Sequence, residues 1–144
     1  MYQGFSDDIK KFNDIYKLPS HDSLKLPDAS RITNFMDILR EEVEEGQEIV
    51  EMFEASASKG RDQEILTALS DWLGDIIVYA ASEARRAGIP LPEVLKIIMD
   101  SNFSKLDENG NPIYDERGKV MKGPSYWKPE PKISEIVQKY EKDS

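Results

Sequence analysis

Apolar residues recur along this chain at helical spacing. From Ser30 to Ala57, the residues Ile32, Phe35, Met36, Leu39, Val43, Val50 and Phe53 fall on one stripe of a long helix. A second stripe, from Ile65 through Leu66, Leu69, Trp72, Leu73, Ile76 and Ile77 to Ala80, predicts a helix over Asp62 to Ala87. Its run Ile76-Ile77-Val78-Tyr79-Ala80-Ala81 is apolar all round, the pattern of a helix covered on most sides. Shorter helices are predicted from Asp7 to Lys17 through Ile9, Phe12, Ile15 and Tyr16, and from Leu91 to Ser104 through Val94, Leu95, Ile98 and Met99. Ser30 fits an N-cap, Ser58-Lys59-Gly60 a helix end, and Gly88 a C-terminal cap before Pro90 and Pro92. After Leu106 the turn formers Asp107-Glu108-Asn109-Gly110-Asn111-Pro112 take over, and Ile113-Tyr114 can pair with Lys119-Val120-Met121 as a small hairpin. Ser134 to Lys142 reads as a short last helix, and no internal repeat stands out. The expectation is one all-α domain over residues 1–144, a four-helix bundle with a C-terminal loop or hairpin excursion.

Two acidic sets interrupt the apolar pattern. Glu41-Glu42-Val43-Glu44-Glu45 lies in the first long helix and Asp71-Trp72-Leu73-Gly74-Asp75 in the second. At about 100° per residue, Glu42 falls at the edge of the first stripe, with Glu45 one turn on and Glu41 slightly further round. Ile38, Ile49 and Met52 share that flanking sector, so these carboxylates form a polar island in an apolar surface. Glu44 and Glu48 face away and read as solvated charges. Asp71 and Asp75 stack on one face of the second helix. Carboxylates between packed helices need a counter-charge. In a chain poor in His and lacking Cys, the suitable one is a hard cation with oxygen ligands, Mg²⁺ or Mn²⁺.

Composition narrows the options. No cysteine is present, which removes disulfides, thiol chemistry and cysteine zinc sites, and the single His21 stands in a Pro/Ser-rich loop. A net charge of −9 argues against nonspecific duplex binding. No signal-peptide pattern follows Met1, and no apolar stretch long enough to span a membrane is evident, so a cytoplasmic protein with no membrane or nucleic-acid partner is expected.

The ordered set Leu39-Arg40-Glu41-Glu42-Val43-Glu44-Glu45, Asp71 to Asp75 and Ser101-Asn102-Phe103-Ser104-Lys105-Leu106 resembles the all-α nucleoside triphosphate pyrophosphohydrolases. These include MazG, the dimeric dUTPases and phosphoribosyl-ATP pyrophosphohydrolase. The tail, Asn109 to Tyr114 and Gly118 to Pro124, is similar to the short MazG-like branch with dUTPase-type activity, and the resemblance covers about Asp8 to Pro131. One position departs: many members carry Glu three residues before the second-helix Asp, where this chain has Trp72, with Asp71 one residue earlier.

The resemblance implies cleavage of a (d)NTP, dUTP among them, to a monophosphate and pyrophosphate. It implies Mg²⁺ or Mn²⁺ held by Glu41, Glu42, Glu45, Asp71 and Asp75, with Glu41 or Glu42 as general base. Asn102, Lys105, Lys119, Lys122 and Tyr126 become substrate-binding candidates, and Trp127 is a further aromatic near them. A homodimer or higher homo-oligomer is expected, because the apolar stripes exceed what one chain can cover. Phosphoribosyl-ATP hydrolysis and a non-catalytic helical oligomerisation module are the competing readings.

Overall fold

The computed structural model describes residues 1–55 and 60–142. Five helices are present among them: α1 Phe5–Ile15, α2 Ala29–Glu54, α3 Asp62–Arg86, α4 Leu91–Phe103 and α5 Glu130–Lys142. The all-α expectation holds. The chain divides into two compact units, Met1–Gly88 and Ile89–Ser144.

In the first unit α3 packs along both α1 and α2. The α2–α3 register is antiparallel, because Arg31 pairs with Glu83 while Glu42 meets Trp72. Asn13, fully buried, fastens α1 to α3: its Nδ2 donates to the carbonyls of Pro19 (3.0 Å) and Ser82 (3.2 Å), and its Oδ1 accepts from Ser82 Oγ at 2.7 Å. The carbonyls at the C-terminus of α3 lack helical partners. The loop after α1 supplies them, with His21 N–H donating to Arg85 O (3.1 Å) and Lys25 N–H to Ala87 O (2.9 Å). The His21 ring adds a bond from Nδ1 to Arg86 O at 2.6 Å. Gly88 follows with φ +65°, and a Cβ there would stand 2.0 Å from Ser23 O, so glycine is needed twice over.

The boundaries correct the sequence reading in places. Ser30 lies inside α2, whose N-cap is Asp28, two residues before the expected cap, because the helix starts at Ala29, ahead of the first stripe residue Ile32. The helix ends at Glu54, and the expected stop at Ser58-Lys59 falls outside the described residues. By length and mean hydropathy α3 would reach across a bilayer, contrary to expectation. Asp71 and Asp75 at its middle and its packing on α1 and α2 fit a core helix better.

The more informative correction concerns faces. Of the main stripe of α2, Ile32, Met36, Val43, Val50 and Phe53 are exposed and Phe35 and Leu39 half-buried, whereas Glu42 and Ile49 on the flanking sector are buried. On α3, Leu66, Leu73 and Ile77 are likewise exposed while Ile65, Ala81 and Ala84 are buried. Each long helix therefore leaves a large part of its apolar stripe open within the chain.

In the second unit α4 packs against α5. Buried Ser101 donates from Oγ to Trp127 O (2.9 Å), and Trp127 N–H donates to Ser104 Oγ (3.2 Å), which holds the segment before α5 on the end of α4. Gly123 is pressed there too: its N–H donates to Lys105 O at 2.9 Å, and a Cβ would stand 1.9 Å from Leu106 O. In place of a two-stranded hairpin there is a single bridge, Tyr114 to Val120. A short repeat escaped the sequence reading. Asp107-Glu108-Asn109-Gly110-Asn111 and Asp115-Glu116-Arg117-Gly118-Lys119 form the same turn twice. Each Asp Oδ1 accepts from the N–H groups two and four residues on, at 2.8–2.9 Å, and each Gly has φ near +77°.

Candidate metal and nucleotide site

Glu42 is the centre of the first unit's polar island. It is 5% exposed, and its Oε1 is buried with no hydrogen-bond partner. Burial raises its pKa above the usual carboxylate value, and the charges of Glu45, Asp75 and Asp71 raise it further. Glu41, Glu45, Asp71 and Asp75 are themselves exposed. Tyr79, one turn after Asp75, has its phenol pKa raised by burial and then by Glu42, Asp75, Glu45 and Glu41. Four of the five expected acidic residues thus act on one phenol, and both helices supply them.

Trp72 explains how this turn of α2 is held. Its indole Nε1–H donates to the carbonyl of Glu42 at 2.6 Å. The ring also lies flat enough on α2 that a Cβ on Gly46 would stand 2.7 Å from it. Where the resemblance led one to look for a carboxylate, the chain places an aromatic that fixes the backbone of a carboxylate instead. Gly46 was not singled out from sequence; a glycine amid helix formers, one turn after Glu42, was the available signal.

The donor set suits a divalent cation: oxygen ligands only, with one buried oxygen lacking any partner. No three acidic or histidine side chains among the described residues stand in metal-holding geometry.

A cavity of about 400 Å³ runs along α3 from Asp75 to Arg86. Phe12, Phe35, Ile38, Val78 and Tyr79 give it apolar and aromatic walls. Arg31, Glu83 and Arg86 line it as well. Arg31 holds Glu83 through Nε (2.9 and 3.2 Å) and a second nitrogen (2.5 Å). Arg86 approaches the same carboxylate only at 3.7 Å. None of these three was identified from sequence, because a salt bridge 52 residues apart has no local signature. Asp71 lines a different cavity, with Gly60, Arg61, Glu64 and Thr67, so the two aspartates share a helix face but not a pocket.

The remaining expected residues lie in the second unit. Lys105 is half-buried after α4, and Asn102, Lys119 and Lys122 are exposed. Lys122 Nζ lies 4.9 Å above the Tyr126 ring and Lys132 Nζ 3.9 Å above that of Trp127. Tyr126 and Trp127 are thus occupied as cation platforms within their own unit.

Comparison with protein-family models and with curated proteins gives no match. Among solved structures, this chain is similar to a proposed NTP pyrophosphohydrolase from Exiguobacterium sp. 255-15, at 21% identity and a TM-score of 0.52. The match covers 100% of both chains. The two share an all-α fold.

Proposed function

We propose that this chain is a divalent-cation-dependent nucleoside triphosphate pyrophosphohydrolase, releasing a monophosphate and pyrophosphate. The observation that carries this reading is the orphaned, buried oxygen of Glu42 among three further carboxylates, beside an aromatic cavity that begins at Asp75. The fold shared with the Exiguobacterium protein supports it.

A buried carboxylate with raised proton affinity is suited to binding a cation or taking a proton. Glu41, Glu42, Glu45 and Asp75 would hold Mg²⁺ or Mn²⁺, with Asp71 at the margin. The bound cation would supply charge neutralisation for the triphosphate and a more acidic attacking water. Glu41 or Glu42 receives the proton as water oxygen bonds to the α-phosphorus and the bond to the β-phosphate bridging oxygen breaks, leaving with pyrophosphate. The cavity walls take the nucleoside, a size and polarity ordinary for a ligand site. Lys105, Lys119 and Lys122 are proposed phosphate contacts, Asn102 a hydrogen-bond partner of the ligand or of metal-bound water, and Tyr126 a cover for base or sugar.

We propose also that the working form is a homodimer or larger, because much of the apolar stripe of both α2 and α3 is exposed. Pyrophosphate release across the common NTPs and dNTPs, dUTP included, with Mg²⁺ tests the activity. Glu45→Gln is expected to abolish turnover with helical content intact. Release from no triphosphate would leave the non-catalytic oligomerisation module, which the open apolar faces also favour. Release from phosphoribosyl-ATP alone would reassign the substrate.

A further inference from the structure

Arg86 is a part-buried guanidinium that makes no hydrogen bond among the described residues. Glu83 is gripped by Arg31 through three short contacts, and Arg86 is left at 3.7 Å from it with no hydrogen bond from its guanidinium among the described residues. Its side chain is only 18% exposed. Two guanidinium groups therefore share one carboxylate in the lining of an aromatic-walled cavity, and the forked donors of Arg86 have no hydrogen-bonded acceptor among the described residues. Burial and the neighbouring Arg31 charge both press its pKa down, as expected for a cation that lacks a full counter-charge.

Position along α3 says what could supply that acceptor. Asp75, Tyr79, Ser82 and Arg86 succeed one another at three- or four-residue steps on one face, and all line the same cavity. Asp75 and Arg86 are eleven residues apart, about 16 Å along the axis. That length accommodates a cation, the α-phosphate, a sugar and a base in series, with the phosphates at the acidic end. The base then lies between Phe12, Phe35 and Tyr79, with its far edge toward Arg86. Adenine offers an amino donor on that edge, which meets another donor. A 6-oxopurine offers O6 and N7, two acceptors spaced for a guanidinium fork.

Resting on the pyrophosphohydrolase reading for the placement of the phosphates, we infer that Arg86 reads the O6/N7 edge of a purine and sets the site's preference for guanine-type bases. Arg31 holds Glu83 so that Arg86 is free to do so.

Direct binding tests this without turnover. Titration calorimetry with Mg²⁺ should show guanosine or deoxyguanosine monophosphate binding at least about tenfold tighter than the adenosine and uridine counterparts. Inosine monophosphate, which keeps O6 and N7, should follow guanosine. The 7-deaza analogue of GMP, lacking the N7 acceptor, should bind wild type several-fold more weakly. In Arg86→Met these differences should collapse, and Arg86→Lys should keep only part of them because an ammonium is not a fork. Equal affinity of wild type for GMP, 7-deaza-GMP and AMP would overturn the inference, whether or not the variants fold. A phosphate bound at Arg86 would give that same result, since all three carry the same phosphate. If the base pattern appears but no triphosphate is cleaved, the catalytic reading falls and the base site stands. Cleavage of all triphosphates with flat binding gives the reverse.

Discussion

The indole N–H of Trp72 donates to the backbone carbonyl of Glu42 across 2.6 Å, so the side chain of one acidic motif fixes the main chain of the other. Gly46 makes the approach possible, since any Cβ there would stand 2.7 Å from the ring. Gly46→Ala is expected to destabilise the fold by about 1–3 kcal/mol through overpacking, despite alanine's higher helix propensity. Trp72→Phe should cost about 1 kcal/mol for the lost hydrogen bond, with smaller packing changes. In the background of Trp72→Ala, Gly46→Ala should become neutral or stabilising. Thermal melts of wild type, Gly46→Ala, Trp72→Ala and the double variant form a double-mutant cycle, and additive losses would show that the two residues do not meet.

Asn13 is the corresponding fastener between α1 and α3. Its amide satisfies two carbonyls and one hydroxyl with no access to water. Asn13→Leu should destabilise by about 1–3 kcal/mol, because the groups it satisfied lose their partner. Asn13→Asp should do worse at neutral pH, placing a carboxylate against the Pro19 and Ser82 carbonyls. Urea denaturation at pH 5 and pH 8 checks the ordering. An aspartate variant as stable as wild type at pH 8 would contradict it.

How far the sequence reveals this molecule depends on the range of each interaction. Helical periodicity is local, so all five helices and the cap at Gly88 were legible. Which apolar sector turns inward is not local. The sequence shows only that α2 has a broad stripe around Val43 and a narrower sector with Glu42 and Ile49, and most of the broad one is exposed. The acidic sets were legible because several carboxylates in apolar surroundings are energetically conspicuous. The Arg31–Glu83–Arg86 group was not, since its members are ordinary charges in sequence and meet only when α2 and α3 align. The twin Asp turns were visible as turn formers, but their identity emerges from hydrogen bonds that each aspartate makes to its own backbone.

Glu42 predicts a pH dependence with a definite sign. Its pKa in the folded protein is raised, so the folded form holds the proton more tightly than the unfolded chain does. That contribution is fully present below the ordinary carboxylate value and is lost as pH rises through Glu42's raised one. Without divalent cation, the melting temperature should therefore fall across that window. Glu42→Gln should flatten the fall, and millimolar Mg²⁺ should reverse it in wild type by binding the native state. Parallel profiles for wild type and Glu42→Gln would assign the effect to other groups. Insensitivity of wild type to Mg²⁺ at pH 8 would count against the cation site.

The open stripes predict assembly. Val43 and Phe53 on α2 and Leu66 and Ile77 on α3 are all more than half exposed. Covering what remains exposed of each such side chain contributes about 1 kcal/mol or somewhat more, so an extended stripe of them is needed to offset the entropy lost when two chains associate. A two-fold arrangement covers a stripe with its own copy and closes. Light scattering should report at least a dimer at micromolar concentration. Val43→Lys, or Leu73→Lys on α3, should shift the equilibrium toward monomer while circular dichroism stays helical, because both side chains face outward from their own chain. Mixing an inactive Glu45→Gln chain with an inactive Lys122→Ala chain then asks whether sites are shared, since recovered activity requires residues from two copies. A wild-type monomer at micromolar concentration would remove the assembly, and with it the explanation offered for the exposed sectors.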